Sequence, residues 1–170
     1  LGTKIELENR TPWHKEISLF SFVEFGLGNA QGDSTNFQRN FSTGEVEIHG
    51  STIFHRTEYK ERRDHFAFYH TTADITGFDT DRDSFLGLYN GFDKPDVVFE
   101  NQSKNSRALG WSPVASHRIS VDLKAGEEKS IVFILGYVEN PFEEKFLADG
   151  SMNKSKAYDM IEQMGTPEKA

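Results

Sequence analysis

The chain has 170 residues, 36% of them hydrophobic and 27% charged, with a net charge of −8 and no cysteine. That length suits one domain with a sizeable core, and the balance excludes a disordered chain. The acidic surplus argues against nucleic acid, whose phosphates select basic surfaces, and the lack of cysteine excludes disulfides and thiolate metal sites.

The absence of cysteine also suits a cytoplasmic protein. No run of 18 apolar residues occurs, so no membrane-spanning helix is expected. Fifteen phenylalanines, against three methionines and two tryptophans, point toward sheets. The start, Leu1-Gly2-Thr3-Lys4, is neither an initiator methionine nor a signal peptide, and the chain is expected to be cut from something longer.

In chain order, Thr3 to Glu8 alternates at period two and stops at the turn-forming cluster Asn9-Arg10-Thr11-Pro12. Lys15 to Phe25 places Ile17, Leu19, Val23 and Phe25 on one face and Phe20 and Phe22 on the other, which predicts a strand covered on both sides. Residues 26–34 read as a glycine-rich loop. Glu45 to Ile48 and Thr52 to His55, joined by His49-Gly50-Ser51, predict a hairpin.

His65 to Tyr69 is a further strand candidate, followed by a long polar stretch from Thr71 to Asn105 with only short apolar pieces. Ser116 to Leu123 and Ser130 to Val138 then predict two strands joined by a turn containing Gly126. After Asn140-Pro141 the pattern changes. Phe142 to Ala148 predicts a helical turn. Ser155 to Met164 predicts an amphipathic helix with Tyr158, Ile161 and Met164 on one face, ended by Gly165. Thr166-Pro167 reads as the start of another helix. The fold class is therefore mainly β, an antiparallel sandwich over residues 1–140, with a helical linker over 141–170.

Local motifs supply no enzyme class. Asp79-Thr80-Asp81-Arg82-Asp83 begins like a calcium loop, but Ser84 and Asn90 stand where Gly and a carboxylate are needed, so it is read as a solvated turn without metal. The six histidines (14, 49, 55, 65, 70 and 117) show no ligand spacing, and no catalytic residue is assigned. One stretch, Asp33 to Phe41, combines amide, hydroxyl and guanidinium groups with two phenylalanines. Sugars are bound by such planar donors with aromatic faces over their C–H surface. A structural loop whose Arg39 pairs with an acid competes with that reading on these residues alone.

Several blocks resemble the cellobiose phosphorylases, a family of glycoside phosphorylases formerly grouped with the glycosyltransferases. They are Leu19 to Phe25, Thr35 to Val46, Gly77 to Phe92, Gly110 to His117 and Gly136 to Asn140. The resemblance implies an incomplete β supersandwich, then a short helical linker toward an absent (α/α)6 catalytic barrel. It implies a hexosyltransferase acting by reversible, inverting phosphorolysis of cellobiose to α-glucose 1-phosphate and glucose. Inorganic phosphate serves as co-substrate, no further cofactor is used, and the parent is a homodimer. The general acid belongs to the barrel, so this portion alone is expected to be inactive.

Carried over by the resemblance, Arg39 contacts the acceptor glucose, and Asn36 and Gln38 support it. Gly28 stands where the family carries a bulky aromatic, which implies a wider acceptor site. Trp111 is read as a core anchor. The competing reading is a stand-alone carbohydrate-binding or structural β-sandwich module.

Overall fold

Strand periodicity becomes layers in the structure, a computed structural model that describes residues 1–27, 44–57, 64–108 and 113–165. The described strands are β1 (Gly2–Glu8), β2 (Lys15–Phe20), β3 (Val23–Glu24), β4 (Gly44–His49), β5 (Thr52–Thr57), β6 (His65–Thr71), β7 (Gly77–Asp81), β8 (Pro113–Leu123) and β9 (Glu128–Glu139). Two short helices, α1 (Arg82–Leu86) and α2 (Asp96–Phe99), follow β7, and α3 (Ser155–Met164) closes the chain's described part.

All pairings are antiparallel. The larger sheet runs β1-β9-β6-β5-β4. In the smaller one β8 is central, with β2 and β3 on one edge and β7 on the other. β2 and β3 keep a single register along β8, from Lys15↔Leu123 to Glu24↔Val114. The Ser21 amide bridges the interruption by donating to the His117 carbonyl at 3.0 Å.

The alternation expected over residues 15–25 is realised. Ile17, Leu19, Val23 and Phe25 face the interlayer core around Ile53, Ile119, Val121, Ile131 and Phe133. Phe20 and Phe22 face outward against Phe85, Leu86 and Val97 of α1 and α2. The larger sheet is likewise covered twice: Phe54, Phe66, Phe68, Val132, Ile134 and Val138 turn away from the sandwich and pack under α3 and Met152. The order of layers is thus α3, larger sheet, smaller sheet, α1–α2. Sheets flanked on both faces need apolar residues at successive positions rather than alternate ones, which accounts for runs such as Ile131 to Ile134.

The β4–β5 hairpin closes through Gly50 and Ser51 between His49 and Thr52. Gly50 has φ +57 and Ser51 does not share the positive region, as the first central position of a type II′ turn requires. After β1, buried Asn9 holds the predicted turn. Its side-chain amide donates to the carbonyls of Trp13 (2.7 Å), Leu123 and Lys124 (both 3.0 Å), and its Oδ1 accepts from Thr11.

Three local expectations are corrected. Asp79-Thr80-Asp81 is not a solvated turn. It is the strand β7, and Asp79 and Thr80 are fully buried. On α3 Ala157 is buried, with Ile161 and Met164 partly buried on the same cluster, whereas Tyr158 sits half-exposed with its ring edge against Phe54 at 5.9 Å. Periodicity is carried by large residues, yet a small one such as Ala157 lets the helix approach the sheet closely. The turn expected over 142–148 is a single 3-10 turn, Phe142–Glu144, followed by an isolated bridge between Phe146 and Met152. Trp111 and the helix start at Thr166-Pro167 lie outside the described residues.

Candidate functional site at the rim of the sandwich

The sugar-binding candidates Asn36, Gln38 and Arg39, and the departure at Gly28, lie outside the described residues. The structure does describe where that stretch of chain is anchored. Phe25 leaves β3 with its amide donating to the Pro113 carbonyl at 3.3 Å, and its ring stacks on His55 of β5 at 5.1 Å. The chain re-enters at Gly44, the first residue of β4, which is pressed against the same imidazole. A Cβ on Gly44 would penetrate the His55 ring and stand 3.2 Å from the Arg56 carbonyl oxygen, so only glycine lets β4 start there.

His55 is thus the point through which both ends of the 28–43 stretch are tied to the two sheets. Burial pushes its imidazole down to about 4, partly opposed by the hydrogen bond to the Glu45 carbonyl (3.3 Å), so it is neutral near pH 7 and donates from Nδ1. Arg56, the next residue, donates through Nε to its cross-strand partner Glu45 at 3.0 Å, which fastens the start of β4 to β5.

The same rim carries the ends of two further stretches. Thr57, opposite Gly44, precedes residues 58–63, and Pro113, opposite Asp81, follows residues 109–112. The approach to 109–112 is held by β7. Asp79 accepts from the Ser106 hydroxyl (2.8 Å), the Ser106 amide (3.1 Å) and the Lys104 amide (3.2 Å). Thr80 donates its hydroxyl to the Ser106 carbonyl (3.0 Å) and accepts from the Ala108 amide (2.9 Å). Together with one backbone bond, from the Thr80 amide to the Ser106 carbonyl at 3.1 Å, these side chains fix the segment through Ala108 without its being a strand. Asp81 then caps α1 by accepting from the Ser84 amide at 2.7 Å. Arg82 reaches back to Glu24 at 2.8 Å and lies over the Phe92 ring, joining α1 to β3.

One more polar group is buried behind the rim. His117 lies in the interlayer with its ring stacked on Tyr69 (5.0 Å) and Phe133 (6.5 Å). Its backbone amide donates to Ser21 Oγ, and its Nδ1 shares a hydrogen bond with the same hydroxyl, each at 3.1 Å. Nε2 has no hydrogen-bond partner among the described residues. Burial, with a smaller contribution from His70, pushes His117 down to about 3. Its environment makes it a packed core residue. Among the described residues no cluster of three His, Cys, Asp or Glu could hold a metal ion, and no helix is long and apolar enough to cross a membrane.

Residues 2–167 match the family model described as "Glycosyl hydrolase 94, supersandwich domain". The chain belongs to this family. The supersandwich domain is 31% identical over 135 residues to the N,N'-diacetylchitobiose phosphorylase of Vibrio proteolyticus and 28% identical over 134 residues to that of Vibrio furnissii. Each match covers 78% of this chain and 17% of the relative. The solabiose phosphorylase of Paenibacillus borealis is 29% identical over 127 residues, covering 73% of this chain and 16% of that enzyme. The chain thus spans about a sixth of the length of these curated relatives. In the family setting, the motif from Gly77 to Phe92 has a structural role that spacing alone did not reveal. It builds β7, the Asp79–Thr80 clasp and the capped helix α1. A clue lay in the Asp-Thr-Asp succession, three short side chains able to bond backbone groups, but nothing local distinguishes a buried clasp from a solvated turn.

Proposed function

We propose that the supersandwich domain serves a disaccharide phosphorylase, in which residues 28–43 present Arg39 to the hydroxyls of the acceptor sugar with Asn36 and Gln38 in support. The observation that carries this reading is the anchoring of that stretch. Phe25 and Gly44 converge on His55, and the ends of two neighbouring stretches share the same rim. Binding energy is retained when the groups that meet a ligand are held on rigid elements, because less freedom is lost on association.

Residues 1–140 then form the sandwich and 141–170 lead toward a catalytic barrel that carries the general acid. Inorganic phosphate attacks the anomeric carbon with inversion while the acid protonates the leaving oxygen, as in an inverting glycosidase with phosphate in place of water. No cofactor is required, and the working enzyme is a cytoplasmic homodimer. Cellobiose is the first substrate to test, beside the sugars named in the relatives, N,N'-diacetylchitobiose and solabiose.

The decisive assay measures phosphate release by the full-length protein from α-glucose 1-phosphate with glucose as acceptor, and from the N-acetylglucosamine counterparts. Arg39→Ala removes a charged hydrogen bond worth about 1.5–3 kcal/mol, so efficiency toward the acceptor should fall about 10- to 150-fold. Unchanged efficiency would remove Arg39 from the acceptor site. Release with only the N-acetylated pair would move the substrate from cellobiose to chitobiose.

A further inference from the structure

The layer of α1 and α2 contains a hollow of about 520 Å³, bordered among others by Asp83, Ser84, Tyr89, Asn90, Asp96 and Lys104. Small-molecule sites usually enclose roughly 300–1,000 Å³. The same layer exposes Leu88, Tyr89, Phe92, Val98 and Phe99 within one short stretch of chain. Single exposed apolar residues are ordinary, whereas such a cluster marks a binding surface. Phe92 lies under the Arg82 guanidinium at 5.5 Å and Phe99 under the Lys94 ammonium at 4.1 Å, so cations cover those two rings. Tyr89 is 98% exposed and borders the hollow.

The polar groups beside Tyr89 are fixed in place. Asp96, in the first turn of α2, accepts from the Asn90 amide at 2.6 Å through Oδ1 and from the Lys104 ammonium at 3.5 Å through Oδ2. Gly87 has φ +91, and a Cβ there would penetrate the Asp96 carboxylate, so only glycine lets the chain pass so close to it. Each carboxylate oxygen keeps a second lone pair, and the ammonium keeps further N–H groups. Acceptors and donors therefore stand side by side, next to an aromatic ring. A sugar hydroxyl both donates and accepts, and the C–H face of a pyranose suits an aromatic surface. Two carboxylates, Asp83 and Asp96, against the one ammonium of Lys104 disfavour an anion. We propose that this hollow binds a neutral pyranose sugar, with Asp96, Asn90 and Lys104 meeting its hydroxyls and Tyr89 its C–H face. The site is built wholly from this layer and does not depend on the acceptor reading of Arg39.

The test follows hydrogen exchange of residues 83–104 in the full-length protein, in phosphate-free buffer, as cellobiose, N,N'-diacetylchitobiose or α-glucose 1-phosphate is added. At least one neutral disaccharide should slow exchange there, with a Kd on the order of 1 mM, and the sugar phosphate should bind more weakly. Tyr89→Ala removes a ring that the fold does not bury, so thermal unfolding should stay unchanged while that Kd rises about 10-fold. Asp96→Asn should raise it by about 10-fold or more. Three outcomes overturn the proposal: no slowing of exchange in 83–104 by either disaccharide, an unchanged Kd in Tyr89→Ala, or equal protection by α-glucose 1-phosphate. Sugar protection retained in Tyr89→Ala, together with a changed mass in solution, would instead assign the exposed cluster to a protein contact.

Discussion

Acidification from pH 8 to pH 5 should cost the domain about 4 kcal/mol of stability through two buried histidines. Burial holds His55 near 4 and His117 near 3, against an ordinary value of 6.5. Between the folded and unfolded values the unfolded chain binds the proton and the folded chain does not, so stability is complete above pH 6.5 and falls as the pH drops below it. At pH 5 each group costs about 2 kcal/mol, and each further pH unit costs about 1.4 kcal/mol per histidine until its folded value is reached. His70, also depressed by burial, acts in the same direction. The exposed carboxylates of Glu6, Glu127 and Asp149 are held low by their hydrogen bonds, so they too lose stability on acidification, but only below about pH 4.5. The interval from pH 6.5 to pH 5 therefore reports the histidines.

Urea unfolding at pH 8, 6.5 and 5, followed by far-ultraviolet circular dichroism, measures the effect. His117→Asn keeps a polar amide beside the Ser21 hydroxyl but cannot titrate, so it should lower stability at every pH while reducing the pH dependence by about 2 kcal/mol. A wild-type slope in His117→Asn, or a wild-type loss under about 1 kcal/mol, would refute the claim that burial holds these rings neutral.

Three other outcomes are expected. Gly44→Ala drives a methyl group into the His55 ring and should destabilise by about 1–3 kcal/mol, read from urea midpoints, with a raised acceptor KM in the full-length protein. Asp79→Asn turns an amide toward the donors of Lys104 and Ser106 and should cost about 1.5–3 kcal/mol, read as a shift in thermal unfolding. Ala157→Asp places a carboxylate at a fully buried position beneath α3 and should cost at least about 2 kcal/mol, with faster hydrogen exchange along residues 155–164 as the helix undocks.

Elements whose character is written in side-chain period were legible. Residues 15–25 show which face each side chain takes, because a strand's alternation survives in any environment that covers both faces. The hairpin at Gly50-Ser51 and the helix Ser155–Met164 follow from turn chemistry and helical spacing. β7 was not legible: in Gly77-Phe78-Asp79-Thr80-Asp81 only Phe78 is a large apolar residue, and the strand exists because β8 offers an edge and residues 104–108 offer donors. The candidate stretch Asp33 to Phe41 could be singled out by its amides, guanidinium and phenylalanines, whereas the anchor of its flanking residues could not. Phe25, Gly44 and His55 are up to 30 positions apart, and nothing in their spacing announces that they meet.

What the sequence by itself determined is therefore the inventory and its local periods: a mainly β chain, strands with two apolar faces, a terminal amphipathic helix, and a stretch rich in hydroxyl-binding groups. Tertiary structure alone decided which strands share a sheet, that β8 receives β2 and β3 from far along the chain as well as β7, and that Lys154 closes on Glu47 across more than a hundred residues. The physical reason is range. Alternation and turn chemistry act between neighbours in the chain, whereas sheet order, a buried ion pair and the convergence of two chain ends on one imidazole are settled only when distant segments exclude water together.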